Sequence, residues 1–169
     1  MGEEKLGPSD ADDELLSRIC KILSTRLKAN PYGWDGKLAE EIRALPPGLR
    51  AMAATHHLDI SLTMDDIGWH FLNFGHPSHV EETELGLVEL GLPEIAVIFR
   101  EAYQLVQPHL EEIEGSEDYY EVMERVGAMK RINELTINAT NLIGERGIYR
   151  YWVAYARQNP NRVFDQKAK

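Results

Sequence analysis

Between residues 93 and 106, Ile95, Ile98, Phe99, Ala102, Leu105 and Val106 fall three and four positions apart. That spacing puts all six on one side of a helix. The same period returns along most of the chain, and nowhere does an apolar–polar alternation last long enough for a strand. No Asn-Gly or Asp-Gly hairpin turn occurs either. These features predict an all-α fold, a single compact multi-helix domain of about seven or eight helices.

Breaks in the period set the expected helix limits. A first helix is predicted over 13–28, with Leu15, Leu16, Ile19, Ile22, Leu23 and Leu27 inward. Asn30-Pro31-Tyr32-Gly33 is a turn, and Asp35 is placed to cap a short helix to about 45. After Pro46-Pro47-Gly48, Leu49, Met52, Ala53, His56 and Ile60 form a stripe. Thr63 reads as the cap of a helix carrying Met64, Ile67, Phe71 and Phe74, ended by Gly75 and Pro77. Ser78 and Glu81 match a capping box for the next helix, with Leu85, Val88 and Leu92 as its inner face and Leu87 and Leu90 widening it. Leu92-Pro93 opens the helix described first. Ser116 is expected to cap a long helix from about 117, with Tyr120, Met123, Val126 or Met129, Ile132 and Leu135 inward. Residues 136–141 are a weak helical patch, and a last helix runs to about Asn159 with Ile148, Tyr151, Trp152 and Tyr155 packing.

A chain of 169 residues that is 43% hydrophobic can bury a real core. Residues 1–11 read as a flexible acidic tail and 12–165 as a single all-α domain. No apolar run reaches the roughly 18 residues a membrane helix needs. The start of the chain carries no secretory apolar region. One cysteine, Cys20, excludes an internal disulfide and suits a reducing compartment, so the expected location is cytoplasmic. Cys20 is expected to pack as a small hydrophobe.

Charge is strongly segregated. Residues 59–124 hold 16 acids and one base, Arg100, a net −15, whereas residues 125–169 hold 3 acids and 9 bases, a net +6. Net −10 for the whole chain argues against direct nucleic-acid binding, which needs a basic footprint. Arg146, Arg150 and Arg157 near Tyr149, Tyr151 and Trp152 could mimic a base-stacking surface, but the aromatics are better read as core.

Few residues suggest a reaction. There is no Gly-x-Ser-x-Gly, no phosphate loop and no His-Glu-x-x-His. No cofactor is expected. His70, His76 and His79, with neighbouring acids, are the residues for a metal-dependent or hydrolytic alternative. The acids form the other candidate site: Glu81, Glu82, Glu84, Glu111, Glu112, Glu114, Glu117, Asp118, Glu121 and Glu124. Dense carboxylates attract cationic surfaces and raise association rates.

The run Ile67-Gly68-Trp69-His70-Phe71-Leu72-Asn73, then Glu84-Leu85-x-Leu87-x-x-Leu90-Gly91, then Ala96 and Ala102-Tyr103, resembles the domain family named after an acidic neisserial DNA mimic protein. The ending Tyr155-Ala156-Arg157-Gln158-Asn159 with Phe164 is similar to that family's close. Gly68, Trp69, His70, Phe71, Asn73 and Gly91 are the motif positions, with Ile67 standing where the family has Gly and His70 where it has Gln. The resemblance covers about residues 40–164. It implies an all-α fold, a homodimer, and acidic residues presented to a DNA-binding protein. The expectation is therefore a non-enzymatic acidic protein that binds a basic protein partner, a DNA-binding regulator or a cationic toxin, without membrane or direct nucleic-acid contact.

Overall fold

The computed structural model describes residues 8–115 and 118–164, with side chains from residue 11 onward. Eight helices of seven residues or more account for most of them: α1 Pro8–Arg26, α2 Lys37–Arg43, α3 Pro47–Met64, α5 Pro77–Glu89, α6 Pro93–Val106, α8 Tyr119–Arg125, α9 Met129–Ile143 and α10 Tyr149–Gln158. Three shorter ones complete the order: α4 His70–Phe74, α7 Leu110–Glu114 and α11 Pro160–Val163. There is no strand among the described residues. The helix α1 already includes residues 8–11, which read as tail, and residues 1–7 lie outside the described part.

Helix α3 is the axle. It touches α1, α2, α4, α5, α10 and α11. Surrounded in this way, it is buried on nearly every side, with Leu49, Met52, Ala53, Ala54, Thr55 and Leu58 all inside. Only its last turns emerge, so Ile60 and Met64, expected inward, are exposed. One continuous core runs from Ile19 to Val163. The α6 stripe behaves as its spacing predicts: Ile95, Phe99, Ala102 and Val106 are buried.

Helix α5 keeps part of its expected inner face, with Leu87, Leu90 and Leu92 buried, but it is turned so that two of the expected residues point outward. Leu85 and Val88 are 52% and 53% exposed. The buried face is His79, Val80, Glu82, Thr83, Gly86 and Leu87. Close approach to α3 explains this. A methyl on Gly86 would lie 2.9 Å from the Ala51 carbonyl oxygen and 3.3 Å from the Ala54 side chain. The Thr83 hydroxyl donates to the Ala54 carbonyl at 2.8 Å. Two backbones this close admit small and hydrogen-bonded side chains, not leucines.

Two expected helix starts also move, and one expected helix divides. Helix α3 runs on through Thr63, whose hydroxyl donates back to Ile60, so Thr63 caps nothing. Asp66 accepts from the Trp69 amide at 2.9 Å in the turn ahead of the next helix, and only the five-residue α4 follows. At α5 the capping box of Ser78 and Glu81 does not form. The Nδ1 of His76 accepts the Ser78 amide at 3.2 Å, with Pro77 in the first turn. The expected long helix from 117 is broken in two at Gly127, whose φ is +74°. There the Ala128 amide reaches back to Met123 and the Gly127 amide to Glu124, the double bond pattern of a Schellman ending. Gly91 ends α5 in the same manner, with Leu92 bonded to Leu87 and Gly91 to Val88. The break rotates the first segment so that Tyr119 is buried and Tyr120 and Val126 are exposed. Residues 136–141, by contrast, are fully helical within α9. Ser116 and Glu117 lie outside the described residues.

Cys20 is exposed rather than packed inside. Burial of part of its side chain still raises the pKa of the thiol, which opposes thiolate formation.

Candidate functional site

The acid-rich segment begins where α6 ends. Pro108 sits in a single 3-10 turn, Gln107–His109, and the chain re-enters helix as α7. Leu110 anchors α7 in the core while Glu111, Glu112 and Glu114 face out. Asp118 caps α8, accepting from the Tyr120 and Glu121 amides at 3.0 and 3.1 Å. In α8, Tyr119, Val122 and Met123 are buried, which directs Glu121 and Glu124 outward. The one base in this stretch, Arg125, meets Glu112. Glu117 lies outside the described residues.

The acids of α5 are placed differently from those of α7 and α8. Glu82 is 1% exposed, so it is not part of an outward face. Arg43 donates to it at 2.7 Å, and Arg50 at 2.7 and 3.0 Å. Burial pushes the Glu82 carboxyl up, but the hydrogen bonds from Arg50 and Arg43 outweigh it and hold the group below its ordinary value. Glu84 is half-buried and paired with Arg100. Glu81 is exposed, with Arg43 at 3.4 Å. The available acids are therefore Glu81, Glu111, Glu114, Asp118, Glu121 and Glu124, and Glu112 is shared with Arg125. The inward placement of Glu82 could have been read from its spacing to His79 and Gly86, three and four residues away on one stripe.

The motif loop 65–73 lies next to α8 and is tied to it by two tyrosines. The Tyr119 hydroxyl donates to Asp66 at 2.7 Å, and that of Tyr120 donates to Asp65. Burial first, and the Asp66 bond second, raise the Tyr119 pKa. The Asp65 bond first, and burial second, raise that of Tyr120 to about 12. Gly68 makes this join geometrically feasible. A methyl there would sit 2.2 Å from the Tyr119 hydroxyl, 3.1 Å from Val106 and 3.2 Å from Asp66. The Ile67 amide donates to the Thr136 hydroxyl of α9 at 3.0 Å. Phe71 is wholly buried against Phe99 and Tyr103, with ring centroids 5.0 and 5.2 Å away. Trp69 and Asn73 are half-buried. His70, where the family has Gln, is wholly buried and bonded through Nδ1 to the Ser61 hydroxyl at 2.8 Å.

The histidines of the metal-dependent alternative do not come together as a ligand set. His76 is committed to capping α5. His70 and His79 lie with His57 around the Phe74 ring rather than about a common point. Among the described residues, no three His, Cys, Asp or Glu side chains stand where they could hold one metal ion. No described helix is long and apolar enough to cross a membrane. Arginines of the basic segment 125–169 are engaged within the fold: Arg157 pairs with Asp12, Arg162 with Glu89, and Arg131 with Glu101 and Glu134.

These features define an all-α domain with an acid-bearing α7–α8 edge, joined to a glycine-containing loop through two tyrosine–aspartate bonds. The chain belongs to the DMP19-like protein family, whose model matches residues 43–159. That match includes α3 to α10, the Gly68 loop and all of the acid-bearing edge. No curated protein and no solved structure matches the chain.

Proposed function

We propose that this is a non-enzymatic interaction protein whose α7–α8 edge takes a basic protein partner, a DNA-binding regulator or a cationic toxin, in the manner of a DNA mimic. The observation that supports it is the outward run Glu111, Glu114, Asp118, Glu121 and Glu124, relieved by one arginine that Glu112 already engages. Neighbouring carboxylates on a helix, roughly 5–6 Å apart, can occupy the phosphate-binding positions of a DNA-binding surface. Membership of the DMP19-like family and the resemblance to the DNA-mimic domain point the same way. The buried residues of α7 and α8 set the direction of these acids, so the charge is held on a fixed edge.

Reversing Glu114, Glu121 and Glu124 to Lys tests the reading. All three are exposed. The variant should fold normally by circular dichroism, and capture of a basic partner from native lysate should fall by ~10-fold or more. Wild-type capture should weaken as salt is raised from low to about 0.5 M, because screening shortens the reach of exposed charges. Capture that is indifferent both to salt and to the triple reversal would sink the proposal.

A further inference from the structure

Four imidazole nitrogens in the middle of this domain are buried without a hydrogen-bond partner: His57 Nδ1, His70 Nε2 and both nitrogens of His79. His70 is 0% and His79 4% exposed. The three rings are arranged around Phe74, at centroid distances of 4.4 Å for His57, 5.2 Å for His70 and 6.2 Å for His79. His57 and His79 are 6.0 Å apart. Neutral rings can stack in this way, but a proton on any of them would have no partner to receive its N–H.

The surroundings give such a charge little help. Helix α3 supplies His56, which is bonded to Tyr149, and Asp59, which accepts the Ile148 amide. It also supplies Arg50, and α2 supplies Arg43; both are spent on Glu82. Helix α5 contributes His76 and Glu82, and Glu82 is the one acid acting on His79. Helices α4 and α6 present Phe71, Phe74 and Phe99. Helix α1 adds the Cys20 thiol, beside His57 in an apolar cleft.

On one side the cover is thin. Residues 27–36 pass over Phe74, His76 and His79, and Pro31, Gly33 and Gly36 line the narrow cleft that reaches His79. Tyr32 lies 5.4 Å from the Phe74 ring and Trp34 6.1 Å from that of His76. The segment's hydrogen bonds go to its own residues and to the two helices that flank it in the chain: Leu27 and Lys28 donate to Leu23 and Ser24 of α1, Lys28 and Ala29 to the Glu41 carboxylate of α2, and Asp35 and Gly36 accept from Lys37 and Glu40 of α2; none of these bonds runs to α4 or α5. Ring contacts are what hold it against α4 and α5.

We propose that residues 27–36 form an acid-released lid over the His57–His70–His79 cluster, lifted from Phe74 and His76 so that water can solvate a proton taken up at His79. Burial holds His79 down to about 4 and His57 to about 3 while the lid is closed. With the lid open, His79 returns toward its ordinary value near 6.5. Both shifts are downward, so the closed form is favoured above pH 6.5 and loses ground as pH falls from there toward 4. At pH 5 the gain in the open form is ~30-fold for His79 alone. Opening separates Tyr32 from Phe74 and Trp34 from His76 and leaves all four rings facing water.

Hydrogen exchange on the full chain at pH 7.5 and 5.0, corrected for the intrinsic rate, tests this. Protection of 27–36 should drop by ~30-fold or more at pH 5, while α9 and α10 stay protected. In His79→Leu that drop should largely vanish, whereas His109→Ala, altered on another face, should keep it. A second reading on the wild type uses the His79 ring resonances, which should titrate together with the loss of protection at 27–36. The proposal is overturned if His79→Leu keeps the response. Loss of α9 and α10 protection alongside the lid, or a His79 ring that titrates near 6.5 while 27–36 stays protected, would overturn it equally.

Discussion

Gly68→Ala is expected to destabilise the protein by ~2–4 kcal/mol, read as a fall in melting temperature of about 5–10 °C. The added methyl would occupy the space of the Tyr119 hydroxyl, 2.2 Å away. Tyr119 is buried and bonded to Asp66, which also accepts the Trp69 amide in the turn that leads into α4. The ring cannot withdraw without leaving Asp66, itself buried, short of a donor. A thermal melt of Gly68→Ala alone would not separate this lock from ordinary crowding. Tyr119→Phe supplies the separation, because it removes the atom that collides. If the lock is the cause, Gly68→Ala should cost at least ~1 kcal/mol less in the Tyr119→Phe background than in the wild type. Strict additivity of the two changes would assign the damage to Val106 instead.

Trp152→Ala is expected to be still more damaging, at ~3–5 kcal/mol. Trp152 has no exposed surface, and its indole N–H donates to the Thr55 hydroxyl at 3.0 Å. It is packed edge-on against Tyr149 at 4.8 Å and beside His56 at 5.9 Å, so it joins α10 to the middle of α3. Urea unfolding should show a lower midpoint for Trp152→Ala and an intermediate one for Trp152→Phe, which refills most of the volume but removes the indole donor, leaving Thr55 with its own bond to the Ala51 carbonyl. A midpoint for Trp152→Ala within the error of the wild type would mean that α10 is not an integral part of the core.

How much of this could be read from the residues depended on what each helix packs against. Helix α6 has one neighbour face and one solvent face, so its period gave its orientation directly. Helix α3 is enclosed, and its stripe ran out at Ile60, where the neighbours stop; Met64, read as the start of the next helix's stripe, lies on the same exposed end. In α8 and α9 the apolar period continues across residue 127, and only the backbone reversal at that glycine separates the two helices. The outward direction of Glu111, Glu121 and Glu124 followed from composition, since acids beside a core stripe face water. The burial of Glu82 did not follow from composition: its spacing to His79 and Gly86 is the one local sign, and its partners Arg43 and Arg50 come from α2 and α3, more than 30 residues earlier in the chain. The Tyr119–Asp66 bond spans 53 positions and has no local signature.

The close seat of α5 on α3 also selects between two ways of packing the same helix. Turning α5 about its axis would bury Leu85 and Val88 and expose Glu82, and by hydrophobicity alone that arrangement is attractive. It fails on volume, because Ala51, Ala54 and Gly86 bring the backbones together at a distance where branched side chains do not fit. The rotated arrangement would also strand Arg43 and Arg50 without their shared carboxylate. Small residues here therefore act as a key that raises the energy of the wrong registry more than they lower that of the right one. Enlarging Gly86 would thus do more than weaken a contact: it would narrow the gap between the native fold and a competitor built from the same secondary structure.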